Sequence, residues 1–481
     1  MCIASDIQYL REALPGAAEE AFFDYLRTVK FDQIEVLAIP EGAVVFPRVP
    51  LITVKGPLAI CQLLESQLLN LVNYASLVTT NALRFRLAAG EDKSLVEMGM
   101  RRAQGPNGAM SASKYCYAGG FTATSNVSAG KLYGIPVVGT MAHSFVSAYC
   151  GKESLEVRTV TPKNGSPTKA ADLLNLAETK LNILLKEIDF HVERSEVNEG
   201  ELAAFCAYAV AFPDHFVALL DTYDVLKSGL INFCSCALAL AQLGYRPIGV
   251  RLDSGDLAHL SREVRATFAK VGAIFGLDWF KSLTIVASND VNEESIVSLN
   301  EQGHEIDCFG VGTHLVTCQK QPALGCVYKL VEVDGRARIK LSQNVSKITI
   351  PGRKRSYRLF RENGTAILDL LMLEDEEPPA ANQKILCRHP FEEHKRAAVV
   401  PARVEPLQRL AFANGKRQKG FERSERTLAD IRATVQESIQ TLRDDHKRHV
   451  NPTPYKMSLS ERLYEFMHSL WLDNSPVKQL E

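Results

Sequence analysis

The spacing of apolar positions changes rhythm twice along the chain. Residues 31–60 carry short apolar stretches, "QIEVLAI", "AVVF" and "LITVKG", separated by "PEG" and "PRVP", a pattern that predicts short strands between turns. The next stretch, "LAICQLLESQLLNLVNYASLVTTNALRFRLAA", contains no breaker and predicts a long helix. Beyond it the order becomes strand, glycine-bearing loop, helix. "VEMGM", "IPVVGT", "FVALLD", "PIGVRLD", "LTIVAS" and "DCFGVG" are apolar runs, each followed by small or polar residues. Leu173, Leu174, Ala177, Leu181, Leu184, Leu185 and Ile188 mark the face of one intervening helix. Leu257, Leu260, Val264, Phe268 and Val271 mark another, with Asp256 as its N-cap and Gly272 as its expected end. Continuous apolar strands alternating with amphipathic helices predict a parallel sheet covered by helices. Six such units predict an α/β barrel, complete or incomplete, with its chemistry on the loops after the strands. After residue 327 the pattern returns to β-like segments, "CVYKLVEV", "ARIKLS", "KITI" and "YRLF", and then to polar helices. The expected division is therefore 1–90, 91–327 and 328–481, with "TVTPKNGSPTK" as a flexible excursion.

Composition narrows the picture. A chain of 481 residues exceeds one ordinary core, so two or three domains are expected. The formal net charge is -1, which supplies no global field toward nucleic acid or membrane, so neither is expected as a partner. An anionic ligand must then be held by a local site. The longest nearly apolar runs are too short to span a bilayer, and "MCIASDIQYL" lacks the features of a signal peptide. Eleven cysteines without a CxxC pair point to reduced thiols and a cytosolic, cytoplasmic location.

Five places could carry chemistry. In "RRAQG" (Arg101–Gly105) two arginines leave a strand and enter a glycine-flanked loop. A phosphate site and a solvated pair are equally open readings. In "VRLDSGD", Arg251 and Asp253 are two apart and point to one side of a strand, as a ligand site or, less favoured, a structural ion pair. "GVGTH" places Gly310, Gly312 and Thr313 at a strand-to-helix turn, either a phosphate cradle or simply a tight turn. In "ASNDVNEE", Asp290 and Glu293 read as a capping box, and Asn289 is left to face a ligand. In "GTMAHSFVSAY", His143 sits among small residues beside Thr140 and Ser144. A core role is the common reading, but nothing apolar crowds it, and no second His or Cys lies at ligand spacing for a metal. Nucleophilic or acid–base work remains.

Taken together, "RRAQGPNG", "GTMAHSFV", "GVRLDSGDL", "IVASND", "GVGTHLVTCQKQPALGCVYKL" and "NPTPYKMSLS" resemble the nicotinate phosphoribosyltransferases of the vertebrate type, from about residue 15 to the end. The resemblance implies the type II phosphoribosyltransferase fold, an irregular α/β barrel plus a smaller α/β domain, in a homodimer with shared active sites. It implies transfer of phosphoribosyl from 5-phosphoribosyl 1-diphosphate to nicotinate, giving nicotinate mononucleotide and pyrophosphate in NAD salvage. ATP is the co-substrate, Mg²⁺ or Mn²⁺ the expected ion, with its ligands left open. By the same matching, His143 is the phosphorylated histidine and Asp253 stabilises the ribose or its cationic transition state. Thr140 and Arg251 meet the nicotinate carboxylate. Arg101, Asn289, Gly312 and Thr313 hold the diphosphate and ribose phosphate. Two departures stand against this. The family's opening "TDLYQ"-like segment and the strand ending "PFGG" are not in the chain, and Met98 stands where an aromatic partner for the base is expected. These departures imply a shortened chain of weak or no activity, or a non-catalytic partner of the complete enzyme. A preference for nicotinamide or quinolinate is the rival within the superfamily.

Overall fold

The computed structural model describes residues 4–14, 16, 18–163, 170–342, 347–422 and 425–475. It divides into two compact units, Ala75–Ala323 on one hand and Met1–Tyr74 with Leu324–Glu481 on the other. The first division falls within the helix Glu65–Ala89, ahead of the expected position at residue 91.

The unit Ala75–Ala323 is built on six parallel strands: β1 (Ser94–Glu97), β2 (Ala123–Thr124), β3 (Val217–Leu219), β4 (Gly249–Leu252), β5 (Thr284–Ala287) and β6 (Cys308–Val311). They pair in the order β2-β1-β6-β5-β4-β3. Read round a circle, that order is the chain order, as in a (β/α) barrel, and among the described residues the only neighbours that do not pair are β2 and β3. The expected barrel is thus present and incomplete. The chain between these two strands runs along the gap: Val137 makes an isolated parallel bridge to Thr124, with Val138 N–H donating to the Thr124 carbonyl at 3.1 Å. A strand was expected at "IPVVGT", but only that bridge forms. The missing strand is β2, two residues from "FTATS" that carry no apolar run.

Helices Leu173–Glu187, Glu199–Ala211, Leu230–Gln242 and Leu257–Phe275 share one core with β3, β4 and β5. A file of fully buried rings runs through it, Phe216 to Phe233 to Phe268 to Phe280, with centroids 5.5, 5.6 and 5.6 Å apart. Of the predicted faces, Leu173, Leu174, Ala177, Leu181, Leu184, Ile188, Val264, Phe268 and Val271 are buried, and Leu185, Leu257 and Leu260 are half-buried against the same core. Helix Leu257–Phe275 runs past Gly272, which is an internal packing position where a Cβ would lie 2.9 Å from the Leu277 carbonyl. It stops at Gly276, whose φ of 67° is the left-handed conformation that ends helices. Asp256 caps its start, accepting from the His259 N–H at 3.0 Å. The segment Val225–Gln242 is long and apolar enough to cross a membrane by composition, but it is 72% buried and serves as a core helix.

In the second unit, Glu35–Ala38 pairs between Ile52–Lys55 and Arg409–Ala413 in a four-stranded sheet. A six-stranded mixed sheet centres on Lys354–Phe360, Ala366–Leu373 and Met457–Leu459. Inside it Arg358 grips Asp369 by two hydrogen bonds of 2.8 and 2.9 Å, and the Tyr455 hydroxyl donates to the same carboxylate. "AVVF" and "KITI" form no strand, and "CVYKLVEV" contributes only Glu332–Val333, paired with Arg336–Ala337. Of the expected flexible excursion, residues 164–169 lie outside the described residues; Thr159–Val160 and Ala171–Asp172 pair on either side of it. The ten described cysteines are all free thiols.

Candidate active site

The carboxyl ends of β3, β4 and β5 and the segment crossing the gap bring four of the expected residues into direct contact. Arg251 is the third residue of β4, so its side chain leaves the sheet beside that of Asp253 just past the strand end. Arg251 Nη2 pairs with Asp253 Oδ1 at 2.9 Å, and Nε donates to Ser288 Oγ at 2.8 Å. Nη1 donates to Thr140 Oγ1 at 3.0 Å. Ser288 in turn donates to Asp253. A guanidinium offers five N–H groups, and these contacts use three, one from each nitrogen. Among the described residues this leaves one N–H on each Nη without a partner, a pair suited to a carboxylate. The structural ion pair, the less favoured of the two expectations, is present.

His143 opens the short helix His143–Val146 and its side chain is 44% exposed. Its Nδ1 meets Thr222 Oγ1 at 3.1 Å, while Nε2 lies 3.5 Å from Asp253 Oδ2 and 3.9 Å from Asp221 Oδ2. Burial raises the proton affinity of Asp253, but the Ser288 hydroxyl and the Arg251 guanidinium outweigh it, so its pKa falls below the ordinary carboxylate value. Asp221 is nearly buried, accepts from the Ser254 hydroxyl at 2.5 Å, and has one oxygen, Oδ1, with no partner among the described residues.

The remaining expected residues lie at the same rim, on turns after adjacent strands, without bonding to this cluster. Arg101 follows β1 in the turn Met100–Arg102; it is exposed and makes no ion pair among the described residues. That turn is fixed by Glu97, a buried carboxylate that accepts from the Gly99 N–H, the Ser113 hydroxyl at 2.8 Å and the Thr124 hydroxyl at 2.5 Å. Gly312 and Thr313 follow β6, beside β1; a Cβ on Gly312 would lie 3.3 Å from the Met98 carbonyl. Asn289 follows Ser288 after β5, and it and Asp290 both take positive φ, 96° and 46°. That turn displaces the expected cap. Asn292, not Asp290, caps the next helix, in a capping box with Ser295, and Glu293 instead pairs with Arg84 at 3.1 Å.

Sequence reading missed Ser288, Asp221 and Thr222 as members of the site. The available signal was positional: Asp221 and Thr222 end an apolar run and Ser288 directly precedes Asn289, each just past a strand. Among the described residues no group of three or more His, Cys, Asp and Glu side chains is arranged to hold a metal ion.

An interrupted parallel barrel thus carries a cationic fork, two carboxylates and a half-exposed histidine on its carboxyl rim. The fold is shared with a nicotinate-nucleotide pyrophosphorylase from Pyrococcus furiosus, TM-score 0.56 at 21% identity over 87% of this chain and 83% of that one. The crystal structure of human nicotinic acid phosphoribosyltransferase matches with TM-score 0.86 at 42% identity, over 98% of this chain and 89% of that one. Three family profiles match: the nicotinate phosphoribosyltransferase N-terminal domain at residues 3–73, the family itself at 236–378, and its C-terminal domain at 353–467. The nicotinate phosphoribosyltransferase of Caenorhabditis elegans is 56% identical over 479 residues, 99% of this chain and 84% of its own length. That of Homo sapiens is 45% identical over 472 residues, 98% of this chain and 86% of its own. The chain belongs to the nicotinate phosphoribosyltransferase family.

Proposed function

We propose that the chain transfers phosphoribosyl from 5-phosphoribosyl 1-diphosphate to nicotinate, coupled to ATP hydrolysis, and so makes nicotinate mononucleotide for NAD salvage. The observation that carries the reading is the Arg251 fork, anchored by Asp253, Ser288 and Thr140 with one N–H on each Nη left without a partner among the described residues. The nicotinate carboxylate binds this pair. A neutral amide would offer one acceptor and its own N–H groups to a cation, so nicotinamide binds less well.

With the carboxylate fixed, the pyridine nitrogen attacks C1 of the ribose. Its lone pair forms the N–C1 bond as the C1–O bond breaks, and diphosphate leaves with that electron pair. No protein nucleophile is required; the residues orient the reactants and stabilise charge. Asp253, ionised and beside the fork, supports the positive charge that develops on the ribose ring. Arg101, free of ion-pair partners, steadies the departing diphosphate, and the Gly312–Thr313 turn with Asn289 holds the 5-phosphate. A divalent ion, Mg²⁺ or Mn²⁺, bound to the diphosphate would neutralise part of the charge that develops on the leaving group.

His143 accepts the γ-phosphoryl group of ATP, with ADP leaving, and water later removes it. Its exposure and its setting beside Asp221, Asp253 and Thr222 support this role. Phosphorylation favours a state with tighter 5-phosphoribosyl 1-diphosphate affinity, since only a difference in affinity between two states lets ATP act on binding. A homodimer and a cytosolic location accord with the family and the free thiols. Exposed Met100, Val137 and Val138 beside the site suit cover by a second copy. The test is product formation by the purified chain, with nicotinate, nicotinamide and quinolinate in competition. Formation of nicotinate mononucleotide that rises with ATP is expected; preference for another base, or no product, overturns the reading.

A further inference from the structure

Behind the rim lies a buried acid that the proposed chemistry does not use. Glu201, Ser228 and Asn232 are at most 1% exposed. Ser228 donates to Glu201 Oε2 at 2.5 Å and Asn232 Nδ2 donates to the same oxygen at 3.0 Å. Ser228 Oγ also accepts the Asn198 N–H at 2.9 Å, which fixes its own hydrogen toward Glu201. Both bonds converge on Oε2, while Oε1 has no partner among the described residues. Among the described residues no cation pairs with it. Burial pushes the Glu201 pKa up to about 7, with Asp221 and Asp224 adding to the rise. On the other packed elements, Lys227 is paired with Glu196, Lys152 with Glu178 and Glu199, His143 faces Asp221, and Leu230–Gln242 carries no charged side chain.

The network joins the two halves of the histidine site. Gly200, next to Glu201, packs so closely on the histidine-bearing loop that a Cβ would lie 2.1 Å from the Tyr149 carbonyl. Gly229, next to Ser228, stands equally close to the Leu220 carbonyl at the end of β3, where a Cβ would lie 2.1 Å away. Leu220 leads directly into Asp221 and Thr222.

We infer that Glu201, in its protonated form, is a positioning residue for His143. Its bonds to Ser228 and Asn232 set the spacing between the loop carrying His143 and the pair Asp221–Thr222. The inference rests on the proposed phosphorylation of His143. When Glu201 loses its proton, it repels Asp221 and Asp224 and the spacing is lost.

Two readouts test this in the 481-residue chain. In the unaltered protein, phosphoryl incorporation at His143 should fall roughly 25-fold between about pH 6.5 and about pH 8.5, following the neutral fraction of the acid. Glu201→Gln, whose amide copies the neutral acid, should remove that fall and leave ATP-independent transfer unchanged. Ser228→Ala, which removes a bond favouring the anion, should move the fall to higher pH. The second readout is thermal unfolding, which needs no catalysis. A raised folded-state pKa gives stability that is lost as pH rises from about 4.5 to about 7. Glu201→Gln should therefore raise Tm at about pH 8.5 and not at about pH 4.5. Parallel pH profiles in the variants, or a Tm difference independent of pH, overturns the inference. A protein that takes up no phosphoryl group at any pH overturns the coupled reaction instead, and the Tm comparison then decides the state of Glu201.

Discussion

Thr140 and Arg251, 111 residues apart in the chain, meet through a 3.0 Å hydrogen bond between the crossing segment and β4. This contact does two things. It ties the segment that covers the gap to the sheet, and it occupies one N–H of Nη1 so that the other points free. The acceptor that orients the fork thus belongs to the least sheet-like part of the barrel.

Arg251→Lys keeps the charge and loses the fork. KM for nicotinate should rise roughly 10- to 100-fold, the equivalent of one or two charge-assisted bonds. Discrimination against nicotinamide should shrink in parallel. Steady-state kinetics with both bases checks it, and an unchanged preference would remove the carboxylate from the fork.

His143→Ala should abolish steady-state ATP hydrolysis and the ATP-induced drop in KM for 5-phosphoribosyl 1-diphosphate. Some ATP-independent transfer should survive, because the bond-forming step needs no imidazole. Unaltered stimulation by ATP would exclude the histidine from the coupling.

Asp253 titrates below the ordinary carboxylate value, so the folded state binds its proton more weakly than the unfolded chain. The sign is fixed by linkage: its stabilising contribution is present above about pH 4 and is lost as pH falls further. The acid limb of kcat/KM should therefore lie below that of a free aspartate. Asp253→Asn should lower kcat/KM at every pH and abolish that limb.

Arg358 and Asp369 are buried and doubly bonded, so Asp369→Ala leaves an uncompensated guanidinium. The expected loss is about 3–5 kcal/mol in urea unfolding. Replacing both partners by apolar residues should cost clearly less.

Gly276→Ala places a side chain on a left-handed residue where no atom lies within 4 Å. Only backbone strain is added, so stability should fall by about 1 kcal/mol with kinetics unchanged.

Periodicity made the barrel legible because five of its six strands are apolar runs ahead of glycine or polar turns. The strand that escaped notice, Ala123–Thr124, is too short to carry a pattern. "IPVVGT" has the composition of a strand but pairs only at Val137, since the chain there departs toward Thr140 and the far edge. The charged pair Arg251 and Asp253 could be found by their spacing of two. Ser288, Asp221 and Thr222 could not, because a hydroxyl or carboxylate after a strand gains meaning only when another strand brings a partner to it. The misplaced cap at Asp290 has a similar origin: two successive left-handed residues are not encoded in the local "SND" as strongly as the capping pattern itself.

The unpaired interval between β2 and β3 has an evolutionary consequence. Where neighbouring strands pair, main-chain hydrogen bonds fix the path of the backbone. The crossing from Pro136 to His143 is moored largely by side chains, notably Thr140 and His143, so substitutions there can reshape the pocket wall while the ladder stays intact. Selectivity for the heterocycle can therefore drift among descendants of this architecture without a redesign of the framework.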